Sequence, residues 1–317
     1  NTRDGLKVQP TDFFLRLVPA SGAQPARGEF VANQLDLEVL SRLAGRLPFD
    51  GGLRKRLATL APAGRVAPMD LKWSLKGDTL ATYAVNARFE GLGIEPLGAW
   101  PGFAGMAGRI EGNEKGGRFT LSGRDAGLEL PQVFPESHLQ LSELAAEGSW
   151  SHPDGALEVT LASSSFANED ARGTASGRYR ATPDTPGRID LQARLSEADG
   201  TAVWRYMPGV VNQRARDWLQ RSLTGGRARD ARLVLRGNLA KFPFRDPKDG
   251  VFRVTAKVSD GNLKALMVAF CSVLEQLGML DDTAKAALES WSRVPIKSIR
   301  GIEVGAIEPH VLLKRTA

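Results

Sequence analysis

The sequence predicts a mainly β protein, an antiparallel meander carrying a few short helices. Three observations point there. Apolar residues recur at a spacing of two over many short stretches. The 34 glycines and 18 prolines, set against 7% aromatics, gather between those stretches as turn signals. Helical spacing, by contrast, is found at only three places before residue 264.

The alternation is plain in "LKWSLKG", which sets Leu71, Trp73 and Leu75 on one face and Lys72, Ser74 and Lys76 on the other. "YAVNARF" does the same with Tyr83, Val85, Ala87 and Phe89. Further cases are Phe119/Leu121, Leu128/Leu130, Leu139/Leu141, Leu157/Val159/Leu161, Ile189/Leu191/Leu195 and Phe252/Val254/Val258. Between them lie "EGNEKGG" (111–117), "HPDG" (152–155) and "TPDTPG" (182–187). One-faced strands joined by short turns read as antiparallel hairpins. Helices are expected at 33–47, 51–60 and 212–223, the last with Asn212 as N-cap and a stop before Gly225 and Gly226. On that helix Trp218 and Leu219 lie on the apolar side and are expected to dock it onto a sheet or over its end.

An internal repeat organises the chain. Pro48, a basic helix, Gly64-Arg65 and a strand ending at Gly77 are matched by Pro208, a basic helix, Gly226-Arg227 and a strand ending at Gly237. "YAVNARFEGLGIE" then corresponds to "FRVTAKVSDGNLK". The expected organisation is the end of a preceding β repeat (1–32), a first complete repeat with N-terminal helices (33–200), the start of a second (201–264) and a helical, then short-stranded tail foreign to the repeat (265–317).

The totals narrow the function classes. Net charge is +6, and the stretch 203–236, with eight arginines against two aspartates, accounts for it. Trp204, Tyr206 and Trp218 are interleaved with these arginines. The basic side of the helix is nevertheless interrupted by Asp217, Gln213 and Gln220, unlike a phosphate-tracking stripe, so no nucleic-acid partner is expected. A single cysteine, Cys271, excludes an internal disulfide and a CxxC motif. No apolar run reaches the length of a membrane span. The chain opens at Asn1 with no signal pattern, which reads as a fragment of a longer protein.

Catalytic chemistry is thin. The three histidines, His138, His152 and His310, sit at strand edges and turns with no nucleophile–base pattern around them. Ser163, Ser164 and Ser165 lack a G-x-S-x-G context. "GFAGMAG" (102–108) lacks the strand–glycine loop–helix setting of a nucleotide site and reads as a tight bend. No catalytic residue, metal ligand or cofactor is expected.

Several long segments in order carry a resemblance: "ANQLDLEVLSRLAGRLP", "WPGFAGMAGRIEGNEKGGRFTLSG", "LELPQVF", "YMPGVVNQRARDWLQRSLTGGRARDARLVLRGNLAKFPF" and "GVFRVTAKVSDGNLK". Over about residues 1–264 they resemble the YhdP family of the AsmA-like group of Gram-negative bacteria. The resemblance implies an elongated, curled β-sheet with an apolar concave groove and capping helices. It also implies anchorage in the inner membrane through an N-terminal segment missing here, a place in the periplasm, and phospholipid acyl chains as partner. "LESWSRVPIKSIRGIEVGAIEP" in the tail resembles the C-terminal end of an asparaginase-type family, with no active-site residue to carry over. Under the first resemblance, Trp73, Val85, Phe89, Val159, Leu161, Leu191 and Val254 are candidates for the lining of a lipid groove. The same apolar faces would equally serve the dry core of a structural or scaffolding β protein of the cell envelope, and both readings stand at this point.

Overall fold

The computed structural model describes residues 10–43, 51–77, 79–98, 101–182, 185–211, 213–242, 244, 246, 248–259, 302–307 and 310–315. The helical part of the expected tail, with Cys271, lies outside these residues, as does Asn212. Contacts divide the chain into two compact units, Asn1–Pro131 with His138–Gly155, and Gln132–Ser137 with Ala156–Ala317.

In the first unit, β1 (Phe13–Val18), β2 (Ala26–Ala32), β4 (Ala63–Lys76), β5 (Thr79–Ile94), β6 (Gly102–Asn113), β7 (Gly116–Glu129) and β8 (His138–Ser151) pair in that order. Every pairing is antiparallel. The short β3 (Leu35–Asp36) pairs with β4 at Val66 and Arg65 and so continues β2 along the same edge. Two helices follow it, α1 (Leu37–Leu43) and α2 (Gly51–Leu60). The expected helix over 33–47 therefore begins later than its spacing suggests. Leu35 and Asp36 are taken by the ladder, and the Asp36 carboxylate then accepts from the Val39 amide at 3.0 Å, the N-cap bond that starts α1.

In the second unit, β9 (Glu158–Ala167), β10 (Ala171–Thr182), β11 (Thr185–Asp199), β12 (Arg227–Asn238), β13 (Gly250–Ser259), β14 (Ile302–Ile307) and β15 (His310–Arg315) likewise pair antiparallel in chain order. A 3-10 turn, Gly200–Tyr206, and the helix α3 (Gln213–Ser222) separate β11 from β12. In neither unit does the last strand return to the first, so each sheet is open.

The two stretches matched in sequence share an element order. Strand, helical turn, helix, strand, strand occurs as β2/β3, α1, α2, β4, β5 and again as β11, the 3-10 turn, α3, β12, β13. Both copies enter the strand after the helix through a glycine with positive φ, Gly64 at 99° and Gly226 at 127°. Only glycine adopts that backbone without strain, which accounts for the recurring Gly-Arg pair. "GFAGMAG" lies inside β6, where the register shifts against both neighbours and Gly105 has φ 72°. The expected bend is thus a bulged stretch of strand.

Buried apolar residues are few for so much sheet. Val66, Ala87 and Phe89 form one cluster, with Leu35, Leu37, Met69, Val85, Leu92, Ile110 and Leu121 packed against it. In the second unit Ala202, Val211, Leu219 and Leu223 are buried where α3 lies on the 3-10 turn.

Candidate functional site

Strand register decides which side chains share a face, because successive residues point to opposite sides. In the first unit it aligns Leu15–Phe30–Leu71–Val85 across β1, β2, β4 and β5. One step along the strands, Leu17, Gly28, Trp73 and Tyr83 form a second row, and on the other side Phe13, Ala32, Met69, Ala87, Ile110 and Phe119 form a third. A single apolar face thus runs across the unit. The second unit repeats this: Leu161–Gly177–Leu191–Leu235–Phe252, beside Val159–Tyr179–Ile189–Gly237 and Ala175–Ala193–Leu233–Val254.

All seven candidates for the apolar lining therefore lie on these faces: Trp73, Val85 and Phe89 in the first unit, Val159, Leu161, Leu191 and Val254 in the second. Their surroundings differ. Phe89 is buried in the cluster under Leu35 and Leu37. Trp73, Val85, Val159, Leu161, Leu191 and Val254 are half-buried, as are Leu71, Ile110, Phe119 and Leu235. At the β1 edge the same face is open, with Phe13 66% and Leu17 65% exposed. A second layer packed on the sheet would have brought these residues close to full burial.

Trp73 is held by a local device. Gly28 stands opposite it, and a Cβ there would come 2.1 Å from the indole Cζ2, so the ring lies across the glycine backbone. In the second unit the ends of the apolar face are covered. Phe242, Phe244 and Phe252 pack edge-to-face with centroids 5.4–5.6 Å apart, and Phe244 sits against the opposed glycines Gly237 and Gly250. At the other end stand the 3-10 turn and α3. Leu219 is buried and Trp218 half-buried, and the element they pack α3 against is the turn.

That turn carries a polar lock. Asn168 Nδ2 donates to the Tyr206 hydroxyl at 2.6 Å, and the hydroxyl donates to Asp170 Oδ2 at 2.9 Å. Arg205 Nη1 donates to Asp170 Oδ2 at 3.1 Å and to Glu169 Oε1 at 2.9 Å, its guanidinium 5.7 Å from the Trp204 ring centroid. Asn168 Oδ1 accepts from the amides of Asp170 and Ala171, closing the β9–β10 turn. Burial pushes the Tyr206 pKa up to about 12, with Asp170 adding to the rise and Asn168 opposing it. The hydrogen bond to Glu169, then the charge of Asp170, raises Arg205. Phe134 closes the arrangement edge-on to Tyr206, with centroids 6.4 Å apart. Nothing in the sequence flagged this cluster; its signal is the Asx turn "NED" after a strand, 36 residues before "WRY".

The opposite face of each sheet is largely polar, with Phe14 and Val31 exposed on it at the β1 edge. A depression of about 630 Å³ in the first unit is lined chiefly by residues of that register, among them Arg16, Arg27, Glu29, Lys72, Ser74 and Thr82. The remaining motifs sit in the ladder, its turns and α3. His138 begins β8 opposite Glu129, and His152 occupies the turn after β8, where its amide donates to the Lys115 carbonyl. His310 begins β15. Ser164 Oγ donates to the Ala175 carbonyl across the ladder at 3.0 Å, while Ser163 and Ser165 are exposed. On α3, Gln213 Nε2 donates to Asp217 Oδ1, Arg216 donates to Gln213 Oε1 and Arg221 donates to the Asp217 carbonyl, so four of its polar side chains are engaged along the helix itself. Among the described residues no cluster of three or more metal-ligating side chains occurs, and no helix is long and apolar enough to cross a membrane.

Each unit is thus an open antiparallel sheet with one half-covered apolar face and one largely polar face. The family the chain belongs to is YhdP, whose model, described as YhdP protein, matches residues 1–264. A second model, L-asparaginase II, matches residues 243–309. The chain is similar to "Intermembrane phospholipid transporter YhdP" of Escherichia coli (strain K12), 23% identical over 194 residues. That match takes in 61% of this chain and 15% of the transporter. No solved structure matches.

Proposed function

We propose that this chain is part of a periplasmic phospholipid conduit, non-catalytic and anchored in the inner membrane through another part of the protein, whose apolar sheet faces carry acyl chains between inner and outer membranes. The observation that supports this most is the unbroken register of apolar residues across four to six strands, most of which nevertheless remain half-exposed. An acyl chain laid along such a face leaves water at about 0.8 kcal/mol per buried CH₂. Because one greasy row follows another, displacement along the face changes that energy little, while a headgroup stays at a wet rim. Trp73, Val85, Val159, Leu161, Leu191 and Val254 are the contact residues in this reading, and Phe89 supports them from beneath. The E. coli relative's name, an intermembrane phospholipid transporter, agrees with it.

The test is photo-crosslinking from Val85 and Val159 in the full-length protein in cells, with Asn86 and Thr160, of opposite register, as controls. Phospholipid adducts at the first pair and not the second are expected. Equal labelling of the two pairs, or none at all, would favour a scaffolding sheet instead.

A further inference from the structure

We propose that the polar face of the second unit is a docking surface for an anionic phospholipid bilayer. The inference stands apart from the conduit, since it concerns the side of the sheet opposite the acyl-chain face.

Register gathers the arginines there. Arg180 lies directly opposite Arg188 across β10 and β11, and Arg194 opposite Arg232 across β11 and β12. Like charges in direct register oppose sheet formation, so Arg188 and Arg232, the members of these pairs that no acid engages among the described residues, gain from an external anion. The acids on this face do not neutralise it. Asp190 is used by Arg236, Glu158 by Arg178 and Glu197 by Arg227. The Asp230 bulge, φ 57°, brings its carboxylate to Arg194. Arg188, Arg229 and Arg232 are exposed and form no ion pair among the described residues. In the first unit the rows Arg16–Glu29–Lys72, Glu111–Arg118 and Arg65–Glu90 alternate in sign, and of its one like pair among the described residues, Arg88 opposite Arg109, Arg109 is bonded by Glu111.

The character of the face selects the occupant. It spans several strands at about 4.8 Å spacing, and it presents no aromatic side chain. A protein partner would be expected to find aromatic or aliphatic anchors in closed pockets, and a single-stranded nucleic acid would require stacking platforms. A headgroup layer requires only a field of positive charge.

The experiment is sedimentation of the full chain with vesicles. The full chain should bind phosphatidylcholine vesicles containing about 30% phosphatidylglycerol, ignore pure phosphatidylcholine, and be released by salt of roughly 0.5 M. The R188Q/R229Q/R232Q variant should lose about fivefold per arginine, roughly a hundredfold in all. R16Q/R27Q/R88Q, which removes the same charge from the first unit's polar face, should stay within about threefold of the parent. R188K/R229K/R232K should bind nearly as the parent does, because a diffuse headgroup field reads charge and not guanidinium geometry; this variant also separates lost binding from lost folding. Equal losses from the two glutamine triples, failure of the lysine triple to bind, or binding to duplex DNA without binding to vesicles would each overturn the proposal. Absence of vesicle binding leaves the crosslinking test of the conduit untouched, and absence of crosslinks leaves this proposal untouched.

Discussion

Removing the Tyr206 hydroxyl puts the lock between β9, β10 and the 3-10 turn to a quantitative test. Y206F deletes one bond from Asn168 Nδ2 and one to the Asp170 carboxylate. A neutral hydrogen bond contributes about 1 kcal/mol net and one to a charged group about 1.5–3 kcal/mol. Asp170 keeps Arg205, and the site is only half-buried, so water replaces part of what is lost. The expected cost is about 1–2 kcal/mol in urea unfolding. The local readout is hydrogen exchange at the Asp170 and Ala171 amides, which are held by Asn168 Oδ1 and should exchange faster in Y206F. The pH dependence follows from the raised pKa. In the unfolded chain the phenol ionises near 10, and in the folded chain near about 12. The folded state therefore holds the proton longer. The hydroxyl's contribution is complete below pH ~10 and is lost as pH rises toward ~12. Phenolate absorbance of the parent should show a late-ionising component that Y206F lacks. If the two titrate alike, or the variant is as stable as the parent, the lock is not formed as described.

Two packing predictions accompany it. Leu219→Ala, at a residue 2% exposed on α3, should cost about 2–4 kcal/mol in denaturant unfolding; a loss below about 0.5 kcal/mol would mean the helix is not docked on the turn. Gly28→Val should cost about 1–3 kcal/mol by displacing the Trp73 indole, and far less in a W73A background. Equal costs in both backgrounds would place the indole elsewhere.

The alternation in "LKWSLKG" and "YAVNARF" was enough to place Trp73 and Val85 on one face, because a side-chain period of two leaves no freedom once a strand forms. Val159, Leu161, Leu191 and Val254 were legible for the same reason. Periodicity could not say what covers a face. Phe89 has the same spacing as Val85 and is buried because Leu35 and Leu37, some fifty residues earlier, lie over it. Nor could it show the Phe242–Phe244–Phe252 cluster, in which Phe244 takes a positive φ of 60° that no propensity favours for a phenylalanine. The helix at 33–47 was placed early because Leu35 and Asp36 fit both patterns, and the edge of β4 decided between them. The arginines of 203–236 were read as one local excess of charge, shared by the helix at 212–223 and the strand ending at Gly237. Half of them, Arg227, Arg229, Arg232 and Arg236, lie on β12, where only register reveals that Arg232 stands opposite Arg194.

In each unit a strand's partners are its neighbours in the chain, with β3 the one side branch. No hairpin has to wait for a distant segment before it can close. Such a sheet can grow at the ribosome from one end, each new strand finding a finished edge; the closure of each tight hairpin is set by its own short loop and not by the length of the protein, while β2/β4, β11/β12 and β13/β14 close over longer intervening segments. The same rule makes length cheap to change over evolutionary time: a hairpin added or removed at an edge leaves every other pairing as it was.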